Sequence, residues 1–221
     1  NEELLKASNQ TLNLKKIRKY QFDDSETKIL FAEKVESIYR RSSKAFYYVY
    51  DLNTNELYTI SKDKKISYAT FSPDGSKVAY VKDYNIFYFD LQTEKEVQIT
   101  TDGLQNHILN GFADWVYEEE LDMSVSFWWS PDGSKIAWIS MERDGYESDK
   151  KRLFVADANG DNKVYMTEDF DYNADFIQWT SDNQGLWFIA CKEAVTNIWK
   201  IDMNKNIAQI TDGVHDYEWM T

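Results

Sequence analysis

A ten-residue segment occurs twice in this chain and constrains its fold more than any other feature. The run from Phe71 to Tyr80, with Ser-Pro-Asp-Gly-Ser-Lys at its centre, reappears from Trp129 to Trp138. Degenerate copies start at Phe22 and Trp179, so the four copies lie 49, 58 and 50 residues apart. Each copy reads as an apolar strand ending in an aromatic residue, a polar turn and a second apolar strand. The sequence therefore predicts a repeat protein whose unit begins with a β-hairpin.

A second hairpin follows the first in every copy. In the first copy it joins Tyr48–Leu52 to Leu57–Ser61 through a polar turn, and the other copies keep this pattern. Two hairpins in about fifty residues give four short strands per repeat, the signature of a β-propeller blade. Helical repeats are excluded because the apolar residues alternate or run continuously instead of recurring every 3.6 residues. We therefore predict an all-β propeller or propeller fragment with about four four-stranded blades.

The predicted blades fit a single, partial propeller domain over residues 1–221. The step of 58 residues is longer than its neighbours because the third repeat carries an insertion. An open ring exposes the apolar faces of its first and last blades, so we expect either a fragment of a larger ring or pairing with a second copy. The predicted blades are 17–61, 67–101, 104–167 with the insertion at 104–125, and 174–211, followed by 214–221 as the start of a further blade or a closing strand.

The composition argues against several classes of ligand. The chain has 25 Lys and Arg against 38 Asp and Glu, and this net charge of −13 disfavours nucleic acid and anionic membranes as partners. No run approaches the roughly 18 apolar residues that span a bilayer. The single cysteine, Cys191, lies in an apolar run, so we expect a buried, inert thiol. His107 and His215 stand apart, and we predict neither a metal site nor a cofactor.

One segment has the spacing of a calcium-binding loop. Asp157, Asn159, Asp161 and Glu168 occupy positions one, three, five and twelve of such a loop. Its glycine stands at position four instead of six, and the segment joins two strands of a predicted blade. A hairpin turn is therefore the preferred interpretation.

The insertion in the third repeat contains an acidic motif, Asp114-Trp115-Val116-Tyr117-Glu118-Glu119-Glu120. Asp114 is a suitable N-cap for a short helix that begins at Trp115. Two interpretations of the three carboxylates stay open: a solvated acidic turn, or a paired clamp for one positive group such as the free amino end of a peptide. Consecutive helical positions point about 100° apart, so Glu119 and Glu120 could reach a common point beyond the helix.

This motif and the residues after it, Phe127 to Gly133, resemble the N-terminal propeller of dipeptidyl peptidase IV and its relatives in the prolyl oligopeptidase clan. In that family the last two glutamates of the motif hold the α-amino group of the substrate, which implies this role for Glu119 and Glu120. The resemblance makes a peptide with a free N-terminus the implied partner.

The same family uses an arginine from an earlier blade, and the segment Tyr39–Ser42, ahead of Tyr50-Asp51-Leu52, resembles that region. The resemblance implies Arg40 as a donor to the substrate's backbone carbonyl and as a partner of the glutamates. Arg41 stands where the family has histidine, so the choice between the two arginines stays open. Surface charge is the alternative interpretation of the pair.

The resemblance covers about residues 10–138, and residues 141–153 are closer to other exopeptidase branches of the clan. The chain is therefore either an intermediate homologue or a joining of parts of two relatives. The family's catalysis lies in a C-terminal α/β-hydrolase domain with a Gly-x-Ser-x-Gly elbow, and none of the eight glycines here falls in such a pattern. The implied function is thus substrate gating for a dipeptidyl-peptidase-type serine exopeptidase, with no catalytic residues in this sequence. The relatives imply a periplasmic or extracytoplasmic location.

Two other functions stay open. One is a binding or scaffold propeller that has no hydrolase. The other is an engineered or truncated propeller that assembles with copies of itself, which the abrupt end and mixed ancestry of the sequence also fit.

Overall fold

The computed structural model describes residues 17–218, apart from the side chain of Arg18, and shows an almost entirely β structure. The strands fall into four successive sets. The first two sets are β1 (Ile17–Phe22), β2 (Lys28–Ser37), β3 (Ser43–Asp51) and β4 (Leu57–Thr59), then β5 (Ile66–Phe71), β6 (Lys77–Lys82), β7 (Asn85–Asp90) and β8 (Lys95–Gln98). The last two are β9 (Leu109–Asn110), β10 (Phe127–Trp129), β11 (Lys135–Met141), β12 (Arg152–Asp157) and β13 (Val164–Tyr165), then β14 (Asp175–Trp179), β15 (Gly185–Lys192), β16 (Val195–Asp202) and β17 (Ile207–Gln209). One helix, α1 (Trp115–Glu120), lies between β9 and β10.

Neighbouring strands in each set pair in antiparallel fashion, in chain order. The third set has an additional short strand, since β9 pairs with β11. The first two sets join into one eight-stranded sheet because β3 also pairs with β5, where Lys44 lies opposite Ser67 and Ala45 opposite Ile66. The chain is therefore a series of meandering sheets, as two hairpins per repeat require.

The apolar core lies between successive sets of strands and consists of three clusters. The cluster between the first and second sets includes Leu30, Val49, Val78 and Phe87. The cluster between the second and third sets includes Ile86, Tyr88, Ile136 and Trp138, and the one between the third and fourth sets includes Leu153, Val155, Phe188 and Trp199. Each set of strands thus buries its apolar side chains against the next set along the chain. This blade-on-blade packing confirms the predicted all-β propeller.

The repeated sequence corresponds to a repeated turn. In the second set the Ser72 N–H donates to the Lys77 carbonyl at 2.9 Å, and the Gly75 N–H donates to the Ser72 carbonyl at 2.8 Å. The same two hydrogen bonds start at Asp23, Ser130 and Thr180 in the other sets. The fourth residue of each turn has a left-handed backbone, with φ values of 55°, 65°, 68° and 58° at Glu26, Gly75, Gly133 and Asn183. The two degenerate copies therefore keep the turn geometry without its glycine.

The described sheets do not close into a ring, and no helix in residues 17–218 is long and apolar enough to cross a membrane. In the predicted closing segment, 214–221, Asp216 forms a single parallel bridge with Thr196 of β16. Residues 1–16 and 219–221 of the predicted domain lie outside the described residues. The blade boundaries stay predictions.

The expectation of a buried thiol at Cys191 is wrong, because this side chain is exposed. Cys191 lies near the end of β15, where it pairs with Thr196 and the chain turns at Glu193 and Ala194. Side chains alternate along β15, so Leu186, Phe188 and Ala190 pack in the cluster between the third and fourth sets, whereas Cys191 lies on the opposite face of the strand.

Candidate functional site

Helix α1 begins where Asp114 can cap it. One carboxylate oxygen of Asp114 accepts a hydrogen bond from the Tyr117 N–H at 2.8 Å, which satisfies a donor that the first helical turn leaves free. The other oxygen accepts from the backbone N–H of Gly145, in the loop between β11 and β12. Asp114 thus starts the helix and attaches it to a neighbouring loop.

Tyr117 fixes the orientation of the helix. Its ring is fully buried in the cluster between the second and third sets, and its hydroxyl donates to the Asp149 carbonyl at 2.7 Å. The Lys151 ammonium lies 5.7 Å from the ring centroid, within cation–π range. A six-residue helix has little stability by itself, so these contacts determine which side chains of α1 face inwards.

The chain leading into α1 is held by Asn110 and Gly111. Asn110 is buried, donates to Asp102 at 2.8 Å and accepts from the indole N–H of Trp138 at 3.1 Å. Gly111 has a φ of 68°, and a Cβ at this position would lie 2.9 Å from Cγ1 of Ile86. Only glycine allows this close approach, which leads the insertion over the end of the second set.

The loop between β2 and β3 carries the predicted arginine. The Ile38 N–H donates to the Ser42 carbonyl at 3.0 Å, and the Tyr39 N–H donates to the Ser42 hydroxyl at 3.1 Å. These bonds close the base of the loop and leave Arg40 and Arg41 at its tip. The tip lies against α1, although the two segments are far apart in sequence.

The structure places Arg40 beside Glu119. Nη1 of Arg40 lies 3.3 Å from Oε2 of Glu119, and the side chains are 73% and 15% exposed, respectively. The Arg41 guanidinium instead pairs with Asp122, just beyond the helix. Glu120 is exposed and makes no hydrogen bond or ion pair with the residues that the structure describes. The geometry therefore brings Arg40 and Glu119 together and leaves Glu120 directed to solvent.

Sequence reasoning missed Glu118, the first glutamate of the motif. Its residue is fully buried, and its Oε1 accepts the backbone N–H of Arg41 at 2.5 Å. The helical period could have identified it, because positions 114, 117, 118 and 121 share one face of a helix. Asp114 and Tyr117 anchor that face, so Glu118 also points inwards.

A second carboxyl lies against the start of the helix. Burial raises the pKa of Asp144, and the neighbouring Asp114 carboxylate raises it further, because two adjacent carboxylates repel unless one holds a proton. Asp144, Tyr39 and Phe112 line a cavity of about 590 Å³ beside the Arg40 loop. Neither this cavity nor one of about 200 Å³ at Leu121 and Asp175 is lined by Arg40, Glu119 or Glu120.

The segment with calcium-loop spacing forms a hairpin turn between β12 and β13. The Asp157 N–H donates to the Asp161 carbonyl at 2.9 Å, and Asn159 donates to the Asp161 carboxylate at 2.8 Å. Glu168 instead pairs with Lys205 at 3.0 Å. Across residues 17–218, no three His, Cys, Asp or Glu side chains are grouped so that they could hold a metal ion.

Comparison with known proteins places these observations in a family. Residues 23–148, more than half of the chain, match the family model described as dipeptidyl peptidase IV (DPP IV) N-terminal region. The matched stretch includes both the Arg40 loop and α1.

Curated relatives and solved structures agree with this match. The chain is 45% identical over 152 residues to dipeptidyl-peptidase 5 of Porphyromonas gingivalis, covering 67% of this chain and 21% of that protein. It is 35% identical over 138 residues to a probable dipeptidyl-aminopeptidase B of Neurospora crassa, covering 61% of this chain and 15% of that protein. The crystal structure of Porphyromonas gingivalis dipeptidyl peptidase 4 superposes with a TM-score of 0.79 and 26% identity, covering 92% of this chain and 35% of that one.

The matched regions thus cover only 21% and 15% of the length of these two curated relatives. The family match, the relatives and the shared propeller architecture all lead to one conclusion. The chain belongs to the family of dipeptidyl peptidase IV N-terminal regions.

Proposed function

We propose that this chain is the substrate-gating propeller of a dipeptidyl-peptidase-type serine exopeptidase. In this proposal Glu119 and Glu120 bind the free N-terminus of a peptide, and Arg40 donates to a carbonyl of the same peptide. A separate α/β-hydrolase domain carries out the cleavage. The names of the relatives, which include dipeptidyl peptidases and a dipeptidyl-aminopeptidase, support the class of reaction.

The observation that carries the proposal is the contact between Arg40 and Glu119. It joins a loop of the first repeat to the helix of the third. It also places the donors of the Arg40 guanidinium beside the acceptor oxygens of the Glu119 carboxylate. When Glu120 turns towards Glu119 and Arg40, two carboxylates and one guanidinium carry one net negative charge, which a single ammonium would neutralise. The α-amino group of a peptide has an ordinary pKa of about 8 and is mostly protonated at neutral pH.

The exposures of these side chains suit capture of a ligand from solution. Glu119 is held by Arg40 and is largely covered, so its orientation is set before a ligand arrives. Glu120 and Arg40 are exposed, and they can move to complete the contacts. Charge-assisted hydrogen bonds from an ammonium to carboxylates are stronger than bonds between neutral groups. The site would therefore distinguish a free amino terminus from a blocked one.

The experiment compares the binding of trialanine and Nα-acetyl-trialanine to this chain by isothermal titration calorimetry. We expect the free peptide to bind at least about tenfold more tightly, a difference of about 1.4 kcal/mol. Glu119→Gln and Glu120→Gln should each remove most of that preference. Glu193→Gln is the matched control, because this exposed glutamate lies in the turn after β15, far along the chain from α1.

Equal binding of the two peptides to the wild-type chain would contradict the proposal. Retention of the full preference by both Glu119→Gln and Glu120→Gln would assign amine recognition to other residues. In a full-length peptidase with this propeller, the same two substitutions are expected to lower turnover by orders of magnitude.

A further inference from the structure

We propose that Glu118 is a positioning residue, whose buried carboxyl group holds the Arg40 loop against α1 and thereby sets the contact between Arg40 and Glu119. This inference rests on the proposed function, because it concerns the geometry of the same site. Glu118 itself need not touch a peptide.

The first support is the burial of Glu118 and its bond to the loop. A fully buried glutamate is rare and costly unless its oxygens are paired. Here Oε1 accepts the Arg41 N–H at 2.5 Å, and Oε2 has no hydrogen-bond partner among the described residues. The buried carboxyl therefore strongly favours one position of the Arg40 loop, because moving the loop away would leave both carboxyl oxygens without a hydrogen bond.

The second support is the weakness of the other polar links between the loop tip and the helix. These are the ion pairs Arg40–Glu119 and Arg41–Asp122, in which the arginine side chains are 73% and 45% exposed. Exposed ion pairs contribute little because water screens them and ordering long side chains costs entropy. Apolar packing holds Ile38 and Tyr39 at the base of the loop, but it does not reach the tip. Within residues 17–218, the Glu118 bond is thus the one polar contact between tip and helix whose acceptor residue is fully buried.

The third support is the matched register of the two segments. Adjacent loop residues, Arg40 and Arg41, contact adjacent helical residues, Glu119 and Glu118. Since consecutive helical side chains diverge by about 100°, Glu118 pointing inwards leaves Glu119 directed along the surface towards Arg40. A loop that slipped by one residue would break both contacts at once.

The test combines substitutions of Glu118 with Arg40→Ala in a double-mutant cycle on trialanine affinity. Glu118→Gln keeps an acceptor oxygen in the same place, and we expect affinity within about twofold of wild type. Glu118→Ala removes the acceptor, and we expect it to weaken trialanine binding about tenfold. In the Glu118→Ala background, adding Arg40→Ala should then weaken binding much less than it does in the wild type. Asp122→Asn, which breaks only the exposed pair with Arg41, is the control background and should leave the effect of Arg40→Ala intact.

Amide hydrogen exchange at Arg41 provides a measurement that needs no peptide. We expect a slowly exchanging Arg41 N–H in the wild type, Glu118→Gln and Asp122→Asn, and fast exchange in Glu118→Ala. If Glu118→Ala does not fold, exchange of the Arg41 N–H in the wild type and in Glu118→Gln still tests the inference, because fast exchange in the wild type would contradict it.

Fast exchange of the Arg41 N–H in the wild-type chain would overturn the inference. So would a Glu118→Ala variant that binds trialanine as tightly as the wild type and in which Arg40→Ala weakens binding as much as it does in the wild type. A loss in Glu118→Gln as large as that in Glu119→Gln would also overturn it, because the charge of Glu118 would then act on the ligand directly. If the wild-type chain does not prefer trialanine to its acetylated form, the proposed function fails. The exchange data would then still judge the role of Glu118 in holding the loop.

Discussion

Replacing Asp23 with alanine should destabilise the first repeat, because Asp23 performs alone what two residues do elsewhere. In the turn after β5, the Ser72 hydroxyl donates to the Asp74 carboxylate at 2.6 Å. In the turn after β1, the carboxylate and hydroxyl have exchanged places, and Ser25 donates to Asp23 at 2.6 Å. The exchange places a carboxylate at the buried position, where Asp23 is 3% exposed.

The size of the effect follows from the donors that Asp23 satisfies. Its Oδ1 accepts the backbone N–H groups of Thr27 and Lys28, each at 2.7 Å. Leaving a buried donor without a partner costs about 1–3 kcal/mol, and both residues are partly exposed, so water offsets some of the loss. Asp23→Ala should therefore lower the free energy of unfolding by about 2–4 kcal/mol. In a chain of this size each 1 kcal/mol lowers Tm by about 2–4 °C.

The assay is urea unfolding of the wild type, Asp23→Ala and two matched variants. Asp23→Ser retains one acceptor, as Ser72 does for the Lys77 N–H at 3.0 Å, and should cost about 1 kcal/mol. Asp23→Ser combined with Ser25→Asp recreates the order of the second repeat and should recover most of the wild-type stability. Asp24→Ala, at an exposed neighbour, is the control for the loss of charge alone.

The pH dependence gives a separate check. Burial alone would raise the pKa of Asp23, but hydrogen bonds from Ser25, Lys28 and Thr27 outweigh it and lower the pKa below 3.8. The stability from this carboxylate is thus present above pH 3.8 and lost as the pH falls through the lower folded-state pKa. The gap between the wild type and Asp23→Ala should shrink in acid. A gap below about 0.5 kcal/mol at neutral pH, or one that grows in acid, would refute the reasoning.

Two further predictions concern Asp144 and Cys191. Burial and Asp114 raise the pKa of Asp144 above 3.8 in the folded state, so its contribution to stability is complete below pH 3.8 and is lost as the pH rises through the folded-state value. Asp144→Asn should therefore raise Tm by a few degrees at neutral pH and give no gain in acid, which thermal melts at both pH values would show. An equal gain at both pH values would contradict the raised pKa of Asp144. Cys191 is exposed, so the native chain should react with a thiol reagent such as DTNB at a rate close to that of the urea-unfolded chain, and strong protection in the native state would contradict its placement.

The fold could be predicted from the sequence because the residues that specify it are close together in the chain and recur in every repeat. Four copies of one turn specify where the chain reverses, and the apolar runs on either side specify the strands. The degenerate copies were recognisable from the aromatic residue before each turn and the apolar run after it, although Glu26 and Asn183 stand where Gly75 and Gly133 take the left-handed backbone. The error at Cys191 arose because an unbroken apolar run does not show which face of the strand the neighbouring sheet covers.

The candidate site was predictable only in part, since its contacts join distant segments. The capping of α1 by Asp114 depends on three neighbouring residues, and the sequence indicated it. The contact of Arg40 with Glu119 was implied by family resemblance, and no spacing rule could have derived it. The bond from Arg41 to Glu118 crosses 77 residues, and it needed both the helical face and the position of the loop.

The repeated turns and the candidate site lie at opposite ends of the strands. Strand β2 runs from the repeated turn at Asp23 to the loop at Arg40, so the turn and the arginine lie at opposite ends of the same strand. Strand β10 ends at the repeated turn of the third set, and the insertion that contains α1 therefore enters at the end where Arg40 lies. The regular turns stabilise one end of the propeller, while the irregular insertion and loop meet at the other. Under the proposed function, changes at the Arg40 end would alter ligand selection with little effect on the turns that specify the fold, as expected of a binding site on a rigid scaffold.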